Sequence, residues 1–133
     1  MLVVMKDIVD GLKKAGFAGD LEYDPDTLQL YSHDASMFEI EPKLVAAPIS
    51  ENDVEILTSF VAKNKKKHPN LSLTARSAGT DMSGGAINDS IIVDFRRHLN
   101  EIEEVSHKDA IVQPGAYFRD FDVETRKYDS LLP

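Results

Sequence analysis

TARSAGTDMSGGAINDSIIVDF, Thr74 to Phe95, decides how this chain is read. It opens at the end of one apolar run, Leu71 and Leu73, and closes on another, Ile91-Ile92-Val93. Both runs are short, β-branched or leucine-rich and suited to strands. The connection between them, Arg76 to Ser90, is long for a compact domain, and connections of that length are usually either functional or disordered. Order is expected, because strands anchor both ends and Ala78, Met82, Ala86 and Ile87 give the loop apolar contacts of its own.

The loop's chemistry points to an anion. Gly79, Gly84 and Gly85 permit tight turns and leave no Cβ between a ligand and the backbone. Successive N–H groups in such turns form a concave nest of positive potential. Ser77, Thr80 and Ser83 add hydroxyl donors, and Arg76 is expected to supply charge at the mouth. Asp81 opposes this unless it turns outward or meets a ribose hydroxyl or a backbone N–H. No lysine stands in the loop, which excludes the GxxxxGK triphosphate motif, and the Gly79–Gly84–Gly85 spacing does not fit GxGxxG. Three readings stay open on these residues: a phosphate-bearing ligand loop, a structural glycine loop, and catalysis by bare protein groups.

Outward from the loop, Met5, Ile8, Val9 and Leu12 recur at helical spacing, and Lys13-Lys14-Ala15-Gly16 suits a helix C-terminus. Asp24-Pro25 starts a short turn or helix reaching Leu30-Tyr31, and SHDASMFEIEP, without a period, is an ordered loop. Leu44 to Ala47 reads as a buried strand ended by Pro48. Ser50 and Asp53 then stand at capping-box spacing, with Ile49 and Val54 placed as a hydrophobic staple. Val54, Leu57 and Val61, with Phe60 beside them, form the buried stripe of the next helix. Glu101–Val105 and Ala110–Val112 predict a hairpin around SHKD, broken by Gln113-Pro114-Gly115, and a final amphipathic helix carries Phe118, Phe121, Thr125 and Tyr128. The fold class is α/β: a small parallel sheet flanked by helices.

Composition narrows the partners. The 133 residues carry 15 Lys+Arg against 23 Asp+Glu, a formal net charge of −8, which argues against broad binding to nucleic acid or anionic membranes. KKKH is a helix end rather than a nucleic-acid patch. Cysteine is absent, so disulfides, thiolate nucleophiles and cysteine-held metals are excluded, and a cytoplasmic setting is expected. No apolar run reaches membrane-spanning length, and the opening MLVVMKDIVDGLKK is too charged for a secretory signal. His33, His68, His98 and His107 show no paired spacing, so no metal site is expected. Asp94 reads as a strand-end hydrogen-bonding group, Arg96 and Arg97 as exposed, and His98 as part of a solvated turn. The chain stops at Leu131-Leu132-Pro133 in apolar sequence, which predicts a fragment of something longer.

RSAGTDMSGG, AINDSIIVDFRRHLNEI and AIVQPGA in this order, with APISENDVEILTSFVAKN and YSHDAS before them, resemble the N-terminal flavin-binding (PCMH-type) region of the FAD-linked oxidases. The glycolate and D-lactate dehydrogenases are the most similar branch, and the likeness covers about residues 20 to 133. It implies the first subdomain of a PCMH-type FAD-binding domain and the start of the second. It divides the chain into an N-terminal helix at 1–19, FAD-binding subdomain 1 at 20–115 and a helix leading into the second subdomain at 116–133. The implied cofactor contacts are Pro48, Ile49, Arg76, Ser77, Ala78, Gly79, Thr80, Asp81, Met82, Ser83, Gly84 and Gly115, the last toward the flavin side. Thr80 stands where covalently flavinylated relatives carry histidine, which implies noncovalent FAD. The implied activity is oxidation of a 2-hydroxy acid such as glycolate or D-lactate to the keto acid. The small-molecule substrate would be bound mainly by a region beyond Pro133, no catalytic residue would lie here, and the fragment alone would be inactive. Alternatives are a flavin-dependent cell-wall precursor reductase on the same fold and a noncatalytic partner-binding α/β domain.

Overall fold

The computed structural model describes residues 2–129, so the expectation for Leu131 to Pro133 lies outside the described residues. The elements run α1 (Leu2–Lys14), β1 (Asp20–Glu22), α2 (Pro25–Leu30), β2 (Leu44–Ala47), α3 (Glu51–Asn64), β3 (Leu73–Arg76), β4 (Ile91–Asp94), β5 (Ile102–Val105), β6 (Ala110–Val112) and α4 (Phe118–Arg126). The main sheet is four-stranded in the order β1-β2-β4-β3. Strands β2, β4 and β3 are parallel, and β1 pairs antiparallel with β2. Strands β5 and β6 form a separate antiparallel hairpin, as the SHKD turn predicts.

The all-apolar composition of β2 and β4 follows from their central place. Both are buried along their whole length, and the period of two sends their side chains to two different cores. Leu44, Ala46, Ile91 and Val93 pack with Met5, Ile8, Val9, Leu12 and Phe17 of the N-terminal helical segment and with Leu57 of α3. Val45 and Ile92, which are register partners, face Tyr31 and Leu28 on the other side.

Local signals end the helices as the residue types require. After α1, Gly16 takes φ +96, Gly16 N–H bonds Lys13 O at 3.1 Å and Phe17 N–H bonds Leu12 O at 3.1 Å. This is the Schellman arrangement, and Leu12 and Phe17 share the core beneath it. Ser50 caps α3 by accepting the Asp53 N–H at 3.3 Å. The reciprocal half of the capping box is different from the expected one. Asp53 does not return to the Ser50 N–H; fully buried, it accepts Ile49 N–H at 3.0 Å and Ala18 N–H at 2.9 Å, tying α3 to the chain after α1. Its shorter side chain reaches the entering strand rather than the cap. Ile49 itself is 46% exposed, so the staple contributes little. Asp53→Ala strands two N–H groups and is expected to cost about 2–4 kcal/mol, read as a lowered urea midpoint, while Asp53→Asn retains part of that stability.

Strand β4 lies between β2 and β3, so the crossover through α3 skips one position, and the Arg76–Ser90 loop must itself make a parallel connection. It leaves the C-terminal edge of the sheet and returns to the N-terminal edge along the outer strand β3. There Asn88 Nδ2 donates to Thr74 Oγ1 at 2.7 Å, Ser72 N–H donates to Ser90 Oγ at 2.9 Å, and Ser90 O accepts Lys43 N–H at 2.8 Å. Part of the loop's length is thus dictated by topology, because a tight turn cannot join parallel neighbours.

Candidate functional site: the C-terminal edge of the sheet

Pro48, Ser77 and Phe95 follow the last residues of β2, β3 and β4 at one edge, where ligands gather in open parallel sheets. Above this edge the glycine loop has two unlike halves. Among the described residues, the N–H groups of Ser77 through Met82 make no hydrogen bond to protein. Past that point the chain closes on itself: Ser83 N–H and Gly85 N–H donate to Asp81 Oδ1 at 2.7 and 2.9 Å, and Ser83 Oγ donates to the same oxygen at 2.8 Å. These hydrogen bonds, led by the Gly85 amide, hold the Asp81 carboxyl below its ordinary value of 3.8, so it is anionic throughout the neutral range. Ser83 is therefore committed to the loop, and the exposed Asp81 carboxylate turns one oxygen to backbone N–H groups.

Arg76 is not at the mouth. Its side chain folds under the loop, donating from Nη1 to Ala86 O at 3.2 Å and Tyr31 O at 3.5 Å, with Cζ 5.2 Å from the centroid of the Tyr31 ring. Among the described residues no carboxylate ion-pairs with it, and its buried Nε has no hydrogen-bond partner. Burial, followed by repulsion from Arg96, lowers the pKa of this guanidinium. Gly79 lies directly over it at φ +67, where an added Cβ would stand 2.5 Å from Nη2. The loop thus carries open N–H groups, with Gly79 among them against a part-buried cation that has no carboxylate partner among the described residues.

The SHDAS segment supports this loop from below. Ala35 N–H donates to Asp81 O at 3.0 Å, Ala86 N–H donates to Asp34 Oδ2 at 3.4 Å, and Phe38 packs beside Gly84, which takes φ +86. Tyr31 and Asp34 escape a reading by local pattern. The available signal is the Asp34-x-Ser36 turn, in which Ser36 N–H donates to Asp34 Oδ1 at 2.9 Å, within an ordered segment lacking any period.

The remaining residues separate. Pro48 is buried and has no N–H, and the Ile49 N–H belongs to Asp53, so these two have no N–H to offer a diphosphate and would meet a ligand through apolar surface or a carbonyl. Gly115 has a packing role: its N–H bonds Leu99 O at 2.8 Å, and a Cβ there would overlap the Phe95 carbonyl. Asp94 ends its strand as expected, accepting Arg96 N–H at 2.8 Å and the Tyr31 hydroxyl. Arg96 and Arg97, expected to be exposed, are instead half-buried beside it. Arg96 Nη2 lies 3.2 Å from Asp94 Oδ2, and Arg97 bridges Asp94 at 3.6 Å and Glu22 at 2.6 Å. His98 is exposed at 2.7 Å from Asp20, and no cluster of metal-ligand side chains occurs among the described residues.

Comparison with known proteins gives this geometry a family. A model described as FAD binding domain matches residues 42–133. The chain belongs to this FAD-binding family. FAD is accordingly its cofactor, and the residues fit the group: a diphosphate needs amide donors and a cation, and the loop presents open N–H groups above an orphaned guanidinium Nε. The chain is 32% identical over 105 residues to a D-2-hydroxyglutarate dehydrogenase of Escherichia coli (strain K12), spanning 79% of this chain and 10% of that protein. Among solved structures it is similar to alkyldihydroxyacetonephosphate synthase, with TM-score 0.71, 22% identity, and coverage of 92% of this chain and 25% of that one. It is also similar to p-cresol methylhydroxylase, with TM-score 0.68, 16% identity, and coverage of 92% and 25%. These likenesses show the α/β fold of the PCMH-type FAD-binding domains. The chain spans about a tenth of the length of the curated relatives it matches. Among the described residues no helix is long and apolar enough to cross a membrane.

Proposed function

We propose that this chain holds the diphosphate of FAD within a dehydrogenase that oxidises a 2-hydroxy acid to the keto acid. One observation carries the binding half of the reading: the N–H groups of Ser77 to Met82 are open, and Gly79 among them lies against the Arg76 guanidinium, whose Nε has no partner. The relatives named D-2-hydroxyglutarate dehydrogenase support the substrate class, with glycolate and D-lactate as smaller members of it. Bound FAD supplies the hydride acceptor. The residues of this chain bind and orient it: Ser77, Ala78, Gly79, Thr80, Asp81 and Met82 through main-chain N–H groups, Arg76 through charge, and Pro48 and Ile49 through apolar contact. Residues 20–115 form the binding unit in this reading, and no catalytic base is assigned to the chain. The exposed Thr80 cannot form the histidyl link, so attachment is noncovalent. A chain without cysteine suits a reducing, cytoplasmic setting.

The test is a titration of the ¹⁵N-labelled chain with FAD, ADP and riboflavin. FAD and ADP are expected to shift the Ser77–Met82 amides and riboflavin, which has no diphosphate, to leave them in place. Affinity is expected to be weak, since the chain spans a tenth of its relatives, and acid precipitation should release all the flavin. Equal shifts from riboflavin would overturn the diphosphate assignment.

A further inference from the structure

We propose that Asp81 is a positioning residue for the diphosphate: an anion supplied by the chain itself, filling one turn of the loop so that the preceding turn is held open. The proposal rests on the diphosphate reading above.

The loop changes character at this residue. Before it, the N–H groups from Ser77 onward are free; after it, Ser83 N–H, Gly85 N–H and Ser83 Oγ converge on one carboxylate oxygen at 2.7, 2.9 and 2.8 Å. Gly85 has an ordinary φ, and what its missing side chain provides is space: an added Cβ would lie 3.1 Å from Asp81 Oδ2. The Asp81 carbonyl is fixed as well, accepting Ala35 N–H at 3.0 Å. One residue thus ties the loop both to itself and to the segment beneath it. A carboxylate near a diphosphate costs electrostatic energy, yet Asp81 is exposed, where solvent screens that repulsion. The compensating gain is pre-organisation, because a glycine-rich turn otherwise loses much backbone freedom when it closes on a ligand.

Acceptor geometry and charge are separable by substitution. Asp81→Asn keeps an oxygen able to accept from Ser83 and Gly85 but removes the charge, whereas Asp81→Ala removes both. In the FAD titration of the ¹⁵N-labelled chain, Asp81→Ala is expected to bind about ten-fold more weakly and Asp81→Asn within about three-fold of wild type. The Ser83 and Gly85 amide resonances should lose their hydrogen-bonded shifts only in the alanine variant. Unchanged resonances for Ile91–Asp94 would show that the sheet is folded in all three proteins. Equal affinity for wild type and Asp81→Ala would overturn the proposal. Tighter binding by Asp81→Ala, with Ser83 and Gly85 amides now responding to FAD, would also overturn it, by making the carboxylate a competitor. If wild type shows no response at Ser77–Met82, the diphosphate reading itself fails, a result visible before any variant is made.

Discussion

Gly79→Val is expected to abolish FAD binding while leaving the sheet folded. Two costs arise at this position. The backbone sits at φ +67, a region where a β-branched residue is strained by about 1–2 kcal/mol or more. A side chain would also meet the Arg76 guanidinium, with Cβ 2.5 Å from Nη2 and 2.7 Å from Cζ. Arg76 is held by the carbonyls of Ala86 and Tyr31, so it cannot swing aside without breaking both bonds. The loop must move instead, and the open N–H groups on either side of Gly79 are displaced. A loss of at least about 100-fold in FAD affinity follows, equivalent to about 2.7 kcal/mol. Most of the stability should be kept, because Gly79 lies outside the hydrophobic core and the buried loop residues Ala86 and Ile87 are seven positions or more away in sequence.

The clash can be separated from the backbone strain. Gly79→Ala made in an Arg76→Ala background meets no guanidinium, leaving only the positive φ. Its further effect on FAD affinity should therefore be smaller than in the wild-type background, and the two substitutions should be non-additive. Additive losses would show that Gly79 and Arg76 act separately. Unfolding of Gly79→Val by circular dichroism would instead make the loop part of the stability core.

What is legible in the sequence is local. The Leu12 to Gly16 helix end, the Ser50 cap, the all-apolar β2 and β4 and the SHKD hairpin each follow from neighbouring residues whose types leave few alternatives. The glycine-rich connection is readable for the same reason. Strand β1 is not, because Asp20–Glu22 offers only Leu21 as an apolar signal, and pairing with β2 decides its state. The insertion of β4 between β2 and β3 is equally silent, since strand order is set by long-range packing. Within the site, glycines and hydroxyls indicate an anion nest, but the direction of each polar side chain depends on distant partners. Arg76 turns inward toward Tyr31, 45 positions away, and Arg97 finds Glu22, 75 positions away. A charged pair just past a strand reads as solvated until those partners are known.

The Arg96–Arg97 network makes Asp94→Ala the variant with the largest expected loss of stability. Asp94 is fully buried and takes the Tyr31 hydroxyl, the Arg96 N–H and the Arg96 guanidinium, with Arg97 at ion-pair distance. Burial, then the hydrogen bond to Asp94, raises the Tyr31 pKa, so the phenol is neutral and donates. The hydrogen bond to Asp94 likewise raises the pKa of Arg96, which remains a cation. Removing this carboxylate leaves a phenol and two half-buried guanidinium groups without their shared acceptor, a change that typically costs about 3–5 kcal/mol. Small domains are stable by about 5–15 kcal/mol in total, so Asp94→Ala should lose a large share of that margin, read as a strongly lowered urea midpoint. Asp94→Asn keeps an acceptor for the Arg96 N–H and should lose less. The damage should also reach the ligand loop, because Arg76 rests on Tyr31, and the Ser77–Met82 amides should broaden at urea concentrations that leave α1 intact. Stability within about 1 kcal/mol of wild type would mean that Glu22, Asp20, Tyr31 and Tyr117, the other partners of Arg97 and Arg96, are sufficient to hold the two cations without Asp94.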